Sequence, residues 1–347
     1  MSLSLLADKL KAKHHGHDAV FTGVSTDTRT LAKGDLFVAL TGPRFDGHGF
    51  LSEAIAAGAA GALLGRALET PLPYVETPNT RQALGVFAAF WRKQFRMPLI
   101  AVTGSNGKTT VKEMLAAIFA HRGKGCVTRG NLNNDIGVPL TLLRLRADDT
   151  YAIVEMGMNH RGEIDYLTRL ARPTVALITN AAEAHLAGLG SVEAIARAKG
   201  EVFAGLADDG AAVINADDAY SELWKSLAAP RRIVTFGLDH EADVSADVVP
   251  DGDGCAFRLK TSEGEFDMRL PLLGKHNALN ALGATAAALA AGAALPEVRA
   301  GLEKLRAVSG RLEAKPGING TRVIDDTYNA NPASLAAGLQ VLRDFPG

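Results

Sequence analysis

The sequence predicts an α/β protein built mainly around one mostly parallel sheet, and three observations support this prediction. Residues 98 to about 312 alternate apolar β-type runs with helical stretches, the pattern of strands buried on both faces. The earliest of these runs leads directly into a glycine-rich loop and then a helix, as in P-loop domains. The first 95 or so residues carry shorter runs among glycine-rich turns, which indicates a separate small α/β domain.

The pattern divides the chain into three regions, 1–96, 97–313 and 314–347. The first ends in a helix predicted over 79–95, because its apolar residues recur at helical spacing. The central region has strands predicted at 99–103, 151–154, 175–179, 211–214 and 233–236, and an alanine-rich helix at 277–291. The last offers only a strand at 321–324 and a helix at 333–343, so we interpret it as the start of a C-terminal Rossmann-like α/β domain.

Composition restricts the class of protein. Hydrophobic residues make up 47% of the chain, charged residues 22%, and the formal net charge is −1, which indicates a globular protein without a nucleic-acid-binding charge. No run approaches the ~20 apolar residues of a membrane span, and the N-terminus does not resemble a signal peptide. The two cysteines, Cys126 and Cys255, are too few for a disulfide framework, so we expect a cytoplasmic protein.

Residues 103–110 (TGSNGKTT) follow the first strand of the central region, where ligands of open α/β sheets bind. Glycines let successive backbone N–H groups face an anion, and the helix N-terminus adds its dipole. Lys108 would reach the outer phosphates and the Thr109 hydroxyl would bind magnesium. Val102 replaces the usual first glycine, so a glycine-rich turn with a solvated lysine remains the alternative. The nucleotide phosphates are assigned to Gly104, Ser105, Asn106, Gly107, Lys108, Thr109 and Thr110.

Two further residues have two interpretations each. Glu155 ends the second strand and is either an exposed carboxylate or a magnesium ligand beside the loop. Lys199 shares a helical face with apolar residues, so its ammonium either extends to water or is buried with altered chemistry.

Histidines offer weaker signals. His185 follows the third strand and is either a hydrogen-bonded structural residue or a group that approaches the same ligand as Lys199. His14, His15 and His17 cluster near the N-terminus, and we interpret them as solvated loop residues rather than metal ligands.

These residues lie in segments that resemble the Mur ligase family of peptidoglycan precursor synthesis. The loop at 103–110 has the glycine spacing of the ATP loop of that family, and this spacing differs from that of the ordinary P-loop. The other similar segments occur in order along the chain, at 25–29, 34–40, 45–48, 130–140, 155–158, 162–164, 180–186, 198–201, 274–280, 310–313 and 325–332.

The resemblance implies an ATP-dependent amide ligase, in which ATP phosphorylates a substrate carboxylate and an amine attacks the acyl phosphate. Lys108 and Thr109 would hold the β- and γ-phosphates and the first Mg²⁺, and Glu155 and His185 would lie at the metal sites. Lys199 matches the position that is carbamylated in the family, where the added anion binds a second Mg²⁺.

The resemblance also implies contacts to the rest of the nucleotide and to the substrate. Asn277 and Asn280 match residues near the adenine, Arg311 one near the γ-phosphate, and Asp326 one near the ribose. On spacing alone, these would be a polar helix face, a surface arginine and a strand-end turn. The uridine nucleotide is assigned to Ser25, Arg29, Asp46 and His48, and the muramoyl-peptide to Asn133 and Asn134.

Segments 131–134 and 155–157 are similar to those of the family member that joins D-alanyl-D-alanine to UDP-MurNAc-tripeptide. We therefore expect these two partners and a monomer. The alternatives are the diamino-acid-adding ligase, a folylpolyglutamate synthetase, and a nucleotide-binding protein without catalysis; Val102 disfavours a P-loop GTPase or kinase. Family members continue for about another domain, so we expect a chain ending at Gly347 to bind the uridine nucleotide with little ligase activity.

Overall fold

The computed structural model describes residues 1–183, 189–251, 254–306, 310–329 and 332–344, and the chain divides into two compact units. Unit 1 comprises Met1–Arg96 and Thr128–Ala147. Unit 2 comprises Met97–Val127 and Asp148–Gly347. Residues 128–147 therefore interrupt the second unit in sequence but pack with the first.

The strands confirm the expected fold class and lie within two residues of the predicted runs in most cases. They are β1 (Lys13–His15), β2 (Gly23–Ser25), β3 (Asp35–Val38), β4 (Thr41–Gly42), β5 (Phe45–Asp46), β6 (Gly61–Leu64), β7 (Tyr74–Glu76), β8 (Leu99–Thr103), β9 (Gly125–Val127), β10 (Tyr151–Glu155), β11 (Val175–Ile178), β12 (Ala211–Asn215), β13 (Arg232–Phe236), β14 (Val244–Asp251), β15 (Gly254–Thr261), β16 (Gly264–Leu270), β17 (Glu313–Pro316) and β18 (Arg322–Asp325).

The helices include each one predicted above, with ends shifted by one to three residues. They are α1 (Leu3–Leu10), α2 (Leu51–Ala56), α3 (Thr80–Arg92), α4 (Lys108–Phe119), α5 (Gly137–Leu143), α6 (Glu163–Ala171), α7 (Val192–Gly200), α8 (Ser221–Ala228), α9 (Lys275–Ala290), α10 (Leu295–Glu303) and α11 (Pro332–Asp344). No helix among the described residues is long and apolar enough to cross a membrane.

Unit 1 contains a sheet in the order β1-β7-β6-β3-β2, in which only β1 pairs antiparallel to its neighbour. Helix α3 packs against α5, and Trp91 Nε1 on α3 donates a hydrogen bond to Leu145 O, two residues after α5, at 3.1 Å. An ion pair between Arg81 and Asp135 adds a second link. These contacts explain why residues 128–147 belong to this unit.

Unit 2 contains a sheet in the order β16-β15-β14-β13-β12-β11-β8-β10-β9 among the residues that the structure describes. The strands from β9 to β14 are parallel, and β14, β15 and β16 form an antiparallel edge that the sequence analysis did not predict. Apolar side chains of α4, α9 and α10 pack on the sheet in one continuous core. Burial of each large aliphatic side chain there contributes roughly 1.5–3 kcal/mol.

The strand order determines where a ligand can bind. Strand β8 lies between β10, which comes later in the chain, and β11, which comes later still. The chain leaves β8 for β9 on one side of β8 and leaves β11 for β12 on the other side, and this switch point is where α/β sheets of this kind bind ligands beyond the strand ends.

Candidate active site

The glycine-rich loop connects β8 to α4 at the switch point. Gly104 has φ +147° and Gly107 has φ +82°, conformations that favour glycine. A Cβ at position 107 would lie 2.3 Å from Asn280 Oδ1, so a larger residue would also displace that side chain. Helix α4 begins at Lys108 without a side-chain cap, which leaves the first N–H groups of the helix to an anion.

The end of β11 holds the loop in shape. The Ser105 amide donates to Asn180 O at 2.9 Å. The Asn106 amide donates to Asn180 Oδ1 at 3.0 Å, and Asn180 Nδ2 donates to Asn106 O at 3.2 Å. This reciprocal pair gives Asn180 a supporting role that the sequence analysis did not assign, although it placed the residue at a strand end.

Lys108 extends back along the loop. Its ammonium donates hydrogen bonds to Gly104 O at 2.7 Å and Ser105 O at 3.1 Å. Burial lowers the pKa of Lys108; the charge of Glu155 raises it and that of Arg311 lowers it further. The loop thus contains a half-buried amine beside the start of the helix, as binding of an outer phosphate requires.

Thr109 connects the loop to the ends of two other segments. Its hydroxyl donates to Glu155 Oε2 at 3.0 Å and accepts a hydrogen bond from Arg311 Nη2 at 3.1 Å. Glu155 is 2% exposed, so the exposed-carboxylate alternative is wrong. The Arg311 guanidinium also lies 4.2 Å from the centre of the Tyr328 ring, a contact that the sequence analysis missed.

The residues around Thr109 suit a magnesium ion. A hydroxyl and a carboxylate oxygen are donors that Mg²⁺ prefers, and this ion usually takes its other ligands from water and substrate phosphates. No group of three or more His, Cys, Asp or Glu side chains within the described ranges could hold a metal by itself. The fit therefore depends on a bound nucleotide to complete the coordination.

Lys199 is 2% exposed near the end of α7, so its side chain does not extend to water. Burial, followed by the positive charge of Lys108, lowers the pKa of Lys199 well below its ordinary value. No residue that the structure describes accepts a hydrogen bond from its amino group. A lowered pKa shifts the equilibrium of this amino group towards the neutral amine, which is the nucleophilic form. His185, the histidine predicted to approach the same ligand, lies outside the described residues.

The two asparagines of α9 are buried beside the loop. Asn280 Nδ2 donates to Asn277 Oδ1 at 3.2 Å, and Asn277 Nδ2 donates to Leu273 O at 2.8 Å. Their polar groups therefore form a small network at the start of α9, rather than the polar surface that helical spacing alone would allow.

The two aspartates after β18 differ in their partners. Asp325 accepts hydrogen bonds from Lys315 Nζ at 2.5 Å and from Thr327, and these contacts lower its pKa to about 2. Asp326 is half-buried and its charge acts on His276 near the start of α9. Asp326 therefore remains the better candidate for a ligand contact.

Unit 1 contains the four residues assigned to the uridine nucleotide, Ser25, Arg29, Asp46 and His48, and we term these four together with Asp27 the N-terminal polar cluster. The Ser25 hydroxyl donates to Asp27 O at 2.9 Å and accepts from the Asp27 amide at 3.2 Å. Arg29 Nη2 lies 2.6 Å from Asp27 Oδ2, and this contact lowers the pKa of Asp27 to about 2. The Arg29 side chain is 87% exposed, so it remains accessible to a ligand.

His48 is buried, in contrast to the other charged groups of the N-terminal polar cluster. Its Nε2 accepts a hydrogen bond from the Gly65 amide at 2.8 Å, so the ring proton lies on Nδ1 and is donated to Asp46 Oδ1 at 2.5 Å. That contact lowers the pKa of Asp46, which also pairs with Arg66. The contact at Nε2 thus holds the His48 ring, and the contact at Nδ1 orients Asp46.

The two asparagines of the segment 128–147 also belong to unit 1. Asn134 Oδ1 accepts hydrogen bonds from the Ile136 and Gly137 amides, at 3.2 and 2.9 Å, just before α5. Asn133 lies in the same turn, where its amide donates to Asn131 O at 2.7 Å.

The prediction of three solvated loop histidines was wrong for two of them. His14 and His15 are half-buried in β1, because the antiparallel pairing with β7 covers them. His15 Nε2 lies 2.8 Å from Glu76 Oε2, and its ring stacks on Tyr74 with 4.5 Å between centroids. Only His17 is exposed.

A phosphate loop at the switch point of a parallel sheet, with a buried carboxylate, a half-buried lysine and a buried lysine beside it, defines a class of nucleotide-binding α/β enzymes. Two family models match the chain within this class. The Mur ligase middle domain matches residues 102–288, and the catalytic domain of the Mur ligase family matches residues 20–92. The chain belongs to the Mur ligase family.

Individual relatives agree with the family match. The chain is 45% identical over 349 residues to the UDP-N-acetylmuramoyl-tripeptide–D-alanyl-D-alanine ligase of Escherichia coli (strain K12), covering all of this chain and 77% of that protein. A crystal structure of MurF from Acinetobacter baumannii is 37% identical, with a TM-score of 0.94, and covers 100% of this chain and 77% of that one. MurF of Thermotoga maritima in complex with ADP is 26% identical, with a TM-score of 0.81 and coverages of 94% and 75%.

Proposed function

We propose that this protein catalyses ATP-dependent joining of D-alanyl-D-alanine to UDP-N-acetylmuramoyl-tripeptide in peptidoglycan precursor synthesis. The observation that supports this most strongly is the convergence of Lys108, Thr109, Glu155 and Lys199 at the ends of the central strands. Phosphate binding alone would not require the buried Glu155 or Lys199. The relatives from Escherichia coli and Haemophilus influenzae, which bear the name of this ligase, supply the choice of substrates.

In the proposed reaction, the substrate carboxylate attacks the γ-phosphorus of ATP, and ADP leaves. The amine of D-alanyl-D-alanine then attacks the acyl carbon, phosphate leaves, and the nitrogen loses one proton. Charge accumulates on phosphate oxygens in the first step and on the acyl oxygen in the second. Lys108, Arg311 and the free N–H groups at the start of α4 would stabilise that charge from fixed positions.

We assign the magnesium ligands to Thr109 and Glu155, with His185 and carbamylated Lys199 for a second ion. In carbamylation, the neutral Lys199 amine adds to CO₂ and loses one proton, which leaves an anion. The lowered pKa of Lys199 supports this assignment, because it favours the amine that reacts. When bound, Mg²⁺ would neutralise part of the negative charge on the phosphates.

The remaining contacts follow the same proposal. Asn277 and Asn280 would contact the adenine, Asp326 the ribose and Arg311 the γ-phosphate. Ser25, Arg29 and Asp46 would bind the uridine nucleotide, with His48 orienting Asp46, and Asn133 and Asn134 would face the peptide.

We also propose that the enzyme acts as a monomer in the cytoplasm. Cys126 and Cys255 are both buried, and a chain with only two cysteines fits a reducing compartment, which is also where ATP is available. Sedimentation of the purified chain would give its oligomeric state, and a dimer would contradict that part of the proposal.

Phosphate release from ATP tests the proposed function. The E. coli relative is longer than this chain, so the assay uses both the 347-residue chain and a version carrying the C-terminal residues of that relative. We expect release only when both substrates are present, and loss of release in Lys199→Ala. The matched control is Lys225→Ala, which removes a lysine paired with Glu222 on α8.

Two outcomes would contradict the proposal. Release that requires a single diamino acid in place of D-alanyl-D-alanine would indicate the sibling ligase. ATP binding without release for any acceptor, in both versions of the protein, would indicate a nucleotide-binding protein without catalysis.

A further inference from the structure

The helix that carries Lys199 is held on one side by a buried tryptophan. Trp224, on α8, is fully buried and donates a hydrogen bond from Nε1 to Ala196 O at 2.9 Å. Gly200, the last residue of α7, approaches the same helix, since a Cβ there would lie 2.4 Å from Leu227 Cδ1. One side of α7 is thus fixed close to Lys199.

A second contact begins immediately after Lys199. A 3-10 turn, Glu201–Gly205, follows α7, and its first residue extends to the start of α6. The Glu201 carboxylate accepts hydrogen bonds from the Gly162 amide at 2.9 and 3.0 Å and from the Asp165 amide at 3.2 Å. The residue that should cap α6 is Gly162, which has φ +85° and no side chain. Glu201 therefore caps a helix that lies 39 residues earlier in the chain.

A third contact lies next to this cap. Thr168 Oγ1, on α6, donates to Val202 O at 2.7 Å, and both residues are buried. Helix α6 is the element that follows β10, the strand that ends at Glu155. Glu201 and Val202 therefore connect the end of the Lys199 helix to the segment that follows Glu155.

We propose that Glu201 is a positioning residue for the ligase reaction, which holds Lys199 in place relative to Glu155 by capping α6. The inference rests on the proposed function, because it uses the role of Lys199 given there. Carboxylates are favourable at helix N-termini, where four N–H groups lack partners, so this contact stabilises the turn. Displacement of a reacting group by about 1 Å can reduce a rate by roughly 10²-fold.

A helix cap with a purely structural role would behave differently. Its loss would lower stability and leave the kcat of the folded protein unchanged. A positioning role instead lowers kcat while the KM for ATP stays nearly constant, because the loop that binds the phosphates is held by Asn180 and not by Glu201.

The test compares Glu201→Ala and Glu201→Gln with the wild type in the phosphate-release assay. The control is Glu297→Gln, since Glu297 also caps a helix of unit 2, accepting from the Ala294 amide at 2.7 Å, away from Lys199. For Glu201→Ala we expect kcat to fall at least about 10-fold and the KM for ATP to change less than about 3-fold. Glu201→Gln keeps an acceptor oxygen, so its kcat should lie between those of Glu201→Ala and the wild type. The kcat of Glu297→Gln should equal that of the wild type.

A spectroscopic measurement on the 347-residue chain accompanies the kinetics. With ¹³C-labelled CO₂, the carbamate resonance is assigned to Lys199 by its loss in Lys199→Ala. We expect this resonance to weaken in Glu201→Ala and to be unchanged in Glu297→Gln.

The outcomes separate the two proposals. A kcat for Glu201→Ala within twofold of the wild type, or an equal loss in Glu297→Gln, would overturn the positioning role alone. If the version that carries the C-terminal residues of the E. coli relative releases no phosphate with the proposed substrates, the proposed function is overturned and this inference with it. If Glu201→Ala fails to fold, Glu201→Gln decides by the same criteria.

Discussion

The residues beside the phosphate loop and those of the N-terminal polar cluster are assembled in opposite ways. Beside the loop, three of the hydrogen-bonded pairs join residues far apart in sequence: 46 residues for Thr109 and Glu155, 74 for Asn106 and Asn180, and 202 for Thr109 and Arg311. In the N-terminal polar cluster, Asp27 and Arg29, and likewise Asp46 and His48, are two residues apart.

The two sets of residues also differ in their exposure to solvent. Glu155 and Lys199 are each 2% exposed, whereas the Arg29 side chain is 87% exposed. Buried charges act through a low dielectric and are costly to leave unpaired, so they need the whole sheet to hold them. Exposed pairs in short turns are screened by water and contribute little each. We infer that single substitutions matter most beside the loop and least in the N-terminal polar cluster.

The largest expected effect comes from Lys108→Ala. Removing this half-buried cation should lower kcat for phosphate release by about 10²–10³-fold, because a fixed charge-stabilising donor is lost. Arg29→Ala, in the N-terminal polar cluster, should lower this kcat less than about 10-fold, and Lys225→Ala should leave it unchanged. If Arg29→Ala lowers kcat as much as Lys108→Ala does, the inferred difference between the two sets of residues is wrong.

A medium effect is expected from Gly107→Ala. The left-handed φ alone costs a non-glycine residue roughly 1–2 kcal/mol, and here the new Cβ would also displace Asn280. Gly130→Ala is the matched control, because Gly130 has φ +52° but no atom within 4 Å of the new Cβ. Urea unfolding should show a larger loss for Gly107→Ala, and titration with ATP should show weaker binding for that variant only. If both variants lose the same stability and bind ATP equally well, the contact with Asn280 is not the cause of the effect.

The smallest effect is expected from Asp27→Asn. The folded-state pKa of Asp27, about 2, lies below its ordinary 3.8, so the carboxylate stabilises the fold above pH 3.8, and this contribution is lost as the pH falls towards 2. The variant should therefore unfold at slightly lower urea concentration than the wild type at pH 7. That gap should close between pH 4 and pH 2 and shrink in high salt. A gap that stayed constant over this range would show that Arg29 is not its cause.

Local patterns in the sequence predicted much of this arrangement. The run 99–103 matches β8 at both ends, and Glu155 was identified because it ends an apolar strand. Fully buried parallel strands and glycine-rich loops leave a signal within a few residues, and the chemistry of the phosphate loop is contained in that signal.

The features that the sequence did not predict depend on distant partners. Strands β15 and β16 alternate buried with exposed residues on an open edge and lack the continuous apolar run of a central strand. The packing of residues 128–147 with unit 1 depends on pairs such as Arg81 and Asp135, 54 residues apart. Likewise, the burial of Lys199 follows from elements on both sides of α7, and helical spacing alone could not distinguish it from an ammonium that reaches water.

The chain has two tryptophans, and they lie in different units: Trp91 in unit 1 and Trp224 in unit 2. Each unit therefore carries its own intrinsic fluorophore. Trp224→Phe would leave emission from unit 1 only, and Trp91→Phe would leave emission from the residue that is hydrogen-bonded to the Lys199 helix. The fluorescence of this protein can thus report the unfolding of each unit separately, without any added label.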